Sequence, residues 1–104
     1  LEKQTTISEA WFASCVEMGD WGFDARSFSV LVSSDGQTFT QVANENYPAM
    51  QQNARNGVYN HKLTFSPVET RFVKLIATSE KSMPAWHGAK GIPAYLFVDE
   101  IGLK

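Results

Sequence analysis

The stretch SFSVLVSSDGQTF, residues 27–39, decides the fold class of this chain. Over Ser27–Ser33, phenylalanine and valine alternate with serine and leucine, which is the period-two pattern of a strand with one buried face. Asp35-Gly36 supplies the positive-φ positions of a tight hairpin turn, and Phe39 restarts the alternation. The segment therefore predicts two antiparallel strands joined by a short turn.

The rest of the chain also has the pattern of strands. No long segment carries apolar residues at helical spacing, and Thr, Val and aromatic residues are interspersed throughout. SPVE, residues 66–69, predicts a turn, and the Asn- and Gln-rich segment Val42–Gly57 predicts a long loop. These signals predict an all-β sandwich or barrel. Its further strands are expected at about Gln4–Val16, Val58–Phe65, Arg71–Thr78 and Ala94–Leu103.

Size and charge exclude several classes of protein. With 104 residues the chain can build one core, so we expect a single domain over residues 1–104. A formal net charge of -2, spread along the sequence, favours neither nucleic acid nor an anionic membrane as a partner. No segment approaches the roughly 20 apolar residues that membrane insertion needs. The chain starts without Met and without a signal peptide, so we expect a fragment of a longer protein.

Motifs for catalysis and for zinc are missing from the sequence. There is no G-x-S-x-G turn, and Asp99 and Glu100 are neighbours on a predicted strand, so they point to opposite faces and cannot form a glycosidase pair. His61, His87 and the single Cys15 have no zinc-site spacing. His61 lies in phase with the apolar side of its strand, which indicates a hydrogen-bonded structural histidine. We therefore expect a chain that is not an enzyme.

Aromatic and polar residues in the predicted loops form the remaining candidate site. MPAWHGAKGIP, residues 83–93, sets Trp86 beside His87 in a segment that Pro and Gly keep out of regular helix or strand. Sugars present C–H faces that stack on aromatic rings and hydroxyl groups that bond to polar side chains. For Trp21 and Trp86 a second interpretation, a ring that seals one end of the fold, stays open. The candidate carbohydrate-binding residues are Trp86, His87, Trp21, Asp20, Glu17, Arg55 and Tyr59.

Three segments together suggest a family. FSVLVSSDGQTF, RFVKLIAT and PAWHGAKGIPAYLFVDEIGL resemble the C-terminal part of discoidin, or coagulation factor V/VIII type C, domains. The chain is most similar to the version appended to bacterial family 20 β-hexosaminidases, including those of gut Bacteroides-like organisms, where it looks like a family 32 carbohydrate-binding module. The resemblance implies a jelly-roll β-sandwich with ligands in loops at one end. It also implies that this chain is N-terminally truncated. An unpaired strand edge would then favour a dimer or oligomer.

The resemblance implies a non-catalytic carbohydrate-binding accessory domain of a secreted bacterial β-hexosaminidase-like glycoside hydrolase. Trp86 and Trp21 would be the stacking surfaces, with His87, Asp20 and Glu17 as hydrogen-bonding groups for GlcNAc-, GalNAc- or galactose-type glycans. The alternative is a structural brace that packs on the upstream catalytic domain and binds no sugar. The parent protein would be periplasmic, outer-membrane-associated or secreted.

Calcium is the one cofactor that the resemblance raises. Many members of the family hold a structural Ca²⁺ with a Glu near the end of the last strand, which Glu100 could match. A hard cation needs about 6 to 8 oxygen ligands, and the loop that supplies most of them in the family has no counterpart in this sequence. We therefore expect no cofactor and no tight calcium site.

Overall fold

The computed structural model describes residues 3–104 and consists of six β-strands and one short 3₁₀ turn at Met18–Asp20. The first half of the chain forms β1 (Thr5–Val16), β2 (Ser27–Ser33) and β3 (Thr40–Asn46). The second half forms β4 (Gly57–Thr70), β5 (Phe72–Thr78) and β6 (Val98–Leu103). No helix among the described residues is long and apolar enough to cross a membrane.

The strands form two antiparallel three-stranded sheets that pack face to face. One sheet has the order β4-β1-β6 and the other the order β3-β2-β5, so β1 and β2 are the central strands. Apolar side chains of both sheets meet between them, because β1, β2 and β4 each carry apolar residues on the face that points to the other sheet. The all-β sandwich is therefore confirmed. Its main core consists of Ala10, Phe12, Ala25, Phe28, Val30 and Leu63.

The connection between β2 and β3 is wider than the predicted two-residue turn. The two strands pair as predicted, but Val32 opposite Thr40 is the last pair before the connection. Gly36 has the expected positive φ of 78°, but the φ of Asp35 is not positive. The Asp35 carboxylate instead accepts hydrogen bonds from the backbone N–H groups of Gln37 and Thr38 at 2.8 and 2.9 Å. These bonds lower the pKa of Asp35 to about 2. The tight hairpin is therefore corrected to a wider turn closed by a side chain.

Two predicted irregular segments are strand. The first part of the predicted loop Val42–Gly57 belongs to β3, which is mostly exposed and polar because it lies at a sheet edge, so the loop proper covers only residues 47–56. The predicted SPVE turn is also wrong, since β4 runs through it. A shift in the pairing of β1 with β4, between Ile7 and Glu9 of β1, accommodates this segment and its proline as a bulge.

The last strand is shorter than predicted. β6 begins at Val98 and not at Ala94, and residues 94–97 approach it as an irregular segment. Tyr95 in this segment forms an isolated parallel bridge with Gly22, and Phe97 accepts a hydrogen bond from Cys15 N–H at 2.8 Å. The apolar residues before β6 therefore belong to the loop region at one end of the sandwich.

Candidate functional site

Three connections between the sheets lie at the same end of the sandwich. They are the loops of residues 17–26, 47–56 and 79–97, which we call loops 1, 2 and 3. Because all strand pairs are antiparallel, the end of β1 lies beside the starts of β4 and β6, and the start of β2 lies beside the ends of β3 and β5. All seven candidate residues except Tyr59, which lies near the start of β4, are in these loops.

Met18 ties the three loops together through its backbone. Its N–H in loop 1 donates to Oδ1 of Asn56 in loop 2 at 2.9 Å. Its carbonyl oxygen accepts a hydrogen bond from Nε2 of His87 in loop 3 at 2.7 Å. Nδ1 of His87 accepts a hydrogen bond from the N–H of Ala89 at 3.0 Å, which leaves Nε2 as the donor to Met18. His87 thus uses both ring nitrogens to hold loops in place.

Trp86 and His87 pack against a small loop core. Phe23, Met83 and Ala94 are buried there. The Trp86 ring stacks on Phe23 with centroids 6.0 Å apart, and the His87 ring meets Phe23 edge-on at 5.4 Å. Trp86 is half-buried, in agreement with the sealing role that the sequence left open. The His87 ring is partly buried and both of its nitrogens bond within the loops, so its role as a hydrogen-bonding group for a glycan stays a prediction.

Trp21, Tyr95 and Phe97 form an exposed surface at this end, which we call the aromatic strip. Their relative exposures are 36%, 57% and 44%. Trp21 and Tyr95 stack with centroids 6.3 Å apart and planes 19° apart, and the Phe97 centroid lies 6.0 Å from that of Tyr95. The backbone fixes this arrangement, since Tyr95 N–H donates to the Trp21 carbonyl at 2.8 Å and Phe23 N–H to the Tyr95 carbonyl at 3.0 Å.

Tyr95 and Phe97 were not among the predicted site residues. Both were assigned to the final strand, which the structure contradicts. Ala94-Tyr95-Leu96-Phe97 is apolar throughout, so the sequence does not distinguish the exposed Tyr95 and Phe97 from the more buried Ala94 and Leu96. Their proximity to Trp21, more than seventy positions earlier in the chain, has no local sequence signal.

The exposed acidic groups of loop 1 adjoin the strip. Glu17 and Asp20 flank the 3₁₀ turn that precedes Trp21, and both are exposed. Backbone hydrogen bonds between Glu17 and Gly22 in both directions, at 2.9 and 3.0 Å, close the base of the loop. Trp21 is the one non-glycine residue with positive φ among residues 3–104, at 67°, and it donates its N–H to Met18. Loop 1 therefore holds the Trp21 ring and two carboxylates on one short turn.

Arg55 and Tyr59 lie beside the loop 2 contact with Met18. The Tyr59 hydroxyl donates to the Arg55 carbonyl at 2.6 Å, while Arg55 itself is exposed. Both residues are connected to loop 1 through the neighbouring Asn56, and neither stacks on the aromatic strip.

A buried polar cluster lies beneath the loops. Asp24 accepts hydrogen bonds from Ser14 Oγ at 2.6 Å and from Ala25 N–H at 2.8 Å, and it pairs with His61 Nε2 at 2.8 Å. The His61 ring packs between the rings of Phe12 and Tyr47. The structural role predicted for His61 is confirmed. Because the serine bonds to the carboxylate and not to the imidazole, the cluster is not a nucleophile–base arrangement.

Glu100 lies on β6 opposite Ala13, and it is exposed. Within residues 3–104, no three His, Cys, Asp or Glu side chains come together as a metal site would require. The expectation that this chain has no tight calcium site, with Glu100 as the one residue that could match a family ligand, stays a prediction.

Comparison with known proteins identifies the family. None of the curated proteins matches the chain. The model of the F5/8 type C domain matches residues 3–96, which include both central strands and all of loops 1 and 2. The chain therefore belongs to the F5/8 type C domain family.

Proposed function

We propose that this domain binds carbohydrate through the aromatic strip and the neighbouring carboxylates of Glu17 and Asp20. F5/8 type C domains are non-catalytic, ligand-binding accessory domains, which supports a binding role. The observation that carries the proposal is the pair of exposed, mutually stacked rings of Trp21 and Tyr95 at one end of a rigid sandwich.

The chemistry of the strip suits a sugar. Exposed aromatic rings gain by covering the C–H face of a pyranose, and the carboxylates of Glu17 and Asp20 accept hydrogen bonds from its hydroxyl groups. Such a surface is open, so the contact with a sugar buries little area. We therefore expect a dissociation constant in the millimolar range, equivalent to about -4 kcal/mol.

The backbone of Trp21 supports a role for its ring. A bulky residue at φ 67° carries a conformational cost. Glycine or asparagine would adopt this conformation at lower cost. The 36% of the Trp21 surface that its packing leaves exposed is available for a ligand to cover.

The resemblance to domains appended to bacterial family 20 β-hexosaminidases bears on the parent protein and on the type of sugar. We infer that the parent protein is an exported β-hexosaminidase-like glycoside hydrolase and that the glycan is of the GlcNAc, GalNAc or galactose type. Free carboxylates at the strip disfavour sialylated or sulfated glycans, because like charges repel. Neutral and amino sugars should bind best.

A titration with neutral sugars tests the proposal. We expect chemical-shift changes at loops 1 and 3 on addition of GlcNAc, GalNAc or galactose oligosaccharides at millimolar concentration. Trp21→Ala and Tyr95→Ala should each weaken binding by about tenfold or more, equivalent to about 1.4 kcal/mol.

Phe72→Ala is the matched control. Phe72 has a similar exposure of 37% but lies at the start of β5, at the opposite end of the sandwich. Loss of the Phe72 ring should leave sugar binding unchanged. The proposal fails if no sugar binds, or if Phe72→Ala weakens binding as much as Tyr95→Ala does.

The second candidate function is that of a structural brace that packs on a neighbouring domain. Phe97 of the strip and Ile92, both in loop 3, are 44% and 45% exposed, and such apolar surface also suits a protein partner. In that case Tyr95→Ala would lower the stability of the whole parent protein, while sugars would cause no chemical-shift change. Unchanged parent stability after deletion of the domain would exclude the brace.

A further inference from the structure

All three methionines of the chain meet in the loop core. Met18 lies in loop 1, Met50 in loop 2 and Met83 in loop 3, so each loop supplies one. Met83 is a buried member of this core, and Met18 and Met50 are half-buried and pack against it. Thioether side chains are flexible and adapt to irregular gaps, which suits a core made of loops. The packing of the three loops therefore depends on thioether groups.

The sulfur of Met50 also makes a polar contact between two loops. The backbone N–H of Asp24 in loop 1 donates a hydrogen bond to Sδ of Met50 in loop 2, with the nitrogen and the sulfur 3.2 Å apart. Asp24 is buried, and a buried backbone N–H without an acceptor is unfavourable. This contact therefore helps to hold loop 2 against loop 1.

The backbone at Asp24 is connected to the aromatic strip. The Asp24 side chain is held by β1 and β4 beneath the loops. The preceding residue, Phe23, donates its N–H to the Tyr95 carbonyl at 3.0 Å, and Trp21 lies only two positions before Phe23. A displacement of loop 2 from Asp24 therefore acts on the part of loop 1 that carries Trp21.

We propose that Met50 is an oxidation site, and that its oxidation by a peroxide releases loop 2 from loop 1. With hydrogen peroxide, a lone pair of Sδ attacks one peroxide oxygen, and the O–O bond breaks as the S–O bond forms. The displaced hydroxide takes the proton of the transferred hydroxyl group and leaves as water. The thioether is thus oxidised to a sulfoxide, and the peroxide is reduced.

A sulfoxide does not fit the contact that the thioether makes. Oxidation converts the apolar side chain of methionine into a polar one. The 3.2 Å between the Asp24 nitrogen and Sδ leaves no room for an oxygen atom between them. The apolar side chains of Phe23, Met83 and Ala94 offer that oxygen no hydrogen-bond donor. The oxidised side chain therefore leaves the loop core.

The consequence for carbohydrate binding rests on the proposed function. Loop 1 carries Trp21, Glu17 and Asp20, and a sugar site gains affinity when its loops are held in place before binding. Oxidation of Met50 should therefore weaken the hold on a sugar. Methionine sulfoxide is reduced enzymatically, so the change is reversible.

Met18 is the matched control. It is half-buried like Met50, but it contacts loops 2 and 3 through its backbone N–H and carbonyl groups, which oxidation of its sulfur does not alter. Met83 is 1% exposed, so peroxide should reach it last. Leucine is close to methionine in volume and has no sulfur, so Met50→Leu and Met18→Leu remove each oxidation site with little change in packing.

Limited treatment of the folded domain with hydrogen peroxide tests the site. All samples carry Cys15→Ala, which removes the single thiol of the chain. Peptide mass analysis should find one added oxygen on Met50, and on Met18, before any on Met83. Methionine sulfoxide reductases should remove the added oxygen.

The amide signal of Asp24 in two-dimensional NMR spectra reports the contact. It should shift when Met18→Leu protein is oxidised and return after enzymatic reduction. In Met50→Leu protein it should be the same before and after peroxide. The amide signal of Val30, in the middle of β2, should stay in place in every sample, because the sandwich core does not change.

A titration with GlcNAc measures the effect on the strip. In Met18→Leu protein, oxidation should weaken binding about tenfold and reduction should restore it, whereas peroxide should not affect binding by Met50→Leu protein. If the untreated domain binds no sugar, the proposed function fails and the Asp24 signal alone decides the oxidation site.

Three results would overturn the oxidation site. The first is an Asp24 signal that stays in place when Met50 is fully oxidised, or that moves equally in Met50→Leu protein. The second is oxidation of Met83 before Met50. The third is a shift of the Val30 signal together with that of Asp24, because the fold would then have been lost as a whole.

Discussion

Among single residues, Tyr47 carries a buried hydroxyl with no hydrogen-bond partner within residues 3–104. A buried unsatisfied polar group costs about 1–3 kcal/mol. Tyr47→Phe removes that group and keeps the ring that packs on His61 at 4.2 Å. We expect the free energy of unfolding to rise by about 1 kcal/mol in chemical denaturation at pH 7. Tyr59→Phe, which loses the bond to the Arg55 carbonyl, should be unchanged or less stable.

The same residue predicts how stability changes at high pH. Burial, together with the carboxylates of Glu45 and Asp24, raises the pKa of Tyr47 from 10.0 to about 12. The folded state therefore binds the phenolic proton more tightly, so stability is retained below pH 10.0 and falls as pH rises to about 12. Tyr47→Phe should remove this decline in denaturation curves. An equal decline in both proteins would show that another group is responsible.

Between strands, the contact of β1 with β6 depends on one glycine. The Trp11 ring covers Gly102, and a Cβ at that position would overlap the ring. We expect Gly102→Ala to displace the indole and to lower the free energy of unfolding by about 1–3 kcal/mol. Gly88→Ala is the control, because a Cβ there meets nothing within 4 Å. Denaturation followed by tryptophan fluorescence measures both, and equal stabilities would contradict the packing.

The strands also show which parts of the fold a sequence reveals. β1, β2 and β5 were predicted to within a residue or two, because alternation is clear where one face of a strand packs on a core. β3 was predicted at its start, but its residues from Val42 to Asn46 were assigned to a loop, because an edge strand needs little apolar surface and these residues are mostly polar and exposed. The proline in β4 led to the prediction of a turn. The bulge that tolerates this proline lies in the pairing of β4 with β1, which the local sequence does not show.

The candidate site was predicted only where its residues are close in sequence. Glu17, Asp20 and Trp21 share one turn, so their composition drew attention to them. The stacking of Tyr95 on Trp21 and the bond from His87 to Met18 join distant segments, and no local pattern encodes such pairs. Trp86, beside the histidine, stacks on Phe23 of the loop core and is half-buried, so its role as a stacking surface for a sugar stays a prediction.

For the molecule as a whole, hydrogen exchange should separate the central strands from the edges. β1 pairs with β4 and β6, and β2 pairs with β3 and β5, so their amides open only with the whole fold. We expect the slowest exchange in β1 and β2 and faster exchange in the outer strands of both sheets. Equal exchange rates in central and outer strands would contradict this order.

The position of all three loops at one end of the sandwich has a consequence for how the molecule would meet a surface. A strip at the loop end meets a glycan-coated surface end-on, so the faces of both sheets and the end near Phe72 point away from that surface. A parent enzyme linked to the domain then stays free to act on neighbouring glycans. Each glycan that the enzyme meets while the domain is attached is present at high effective concentration, even when the single contact is weak.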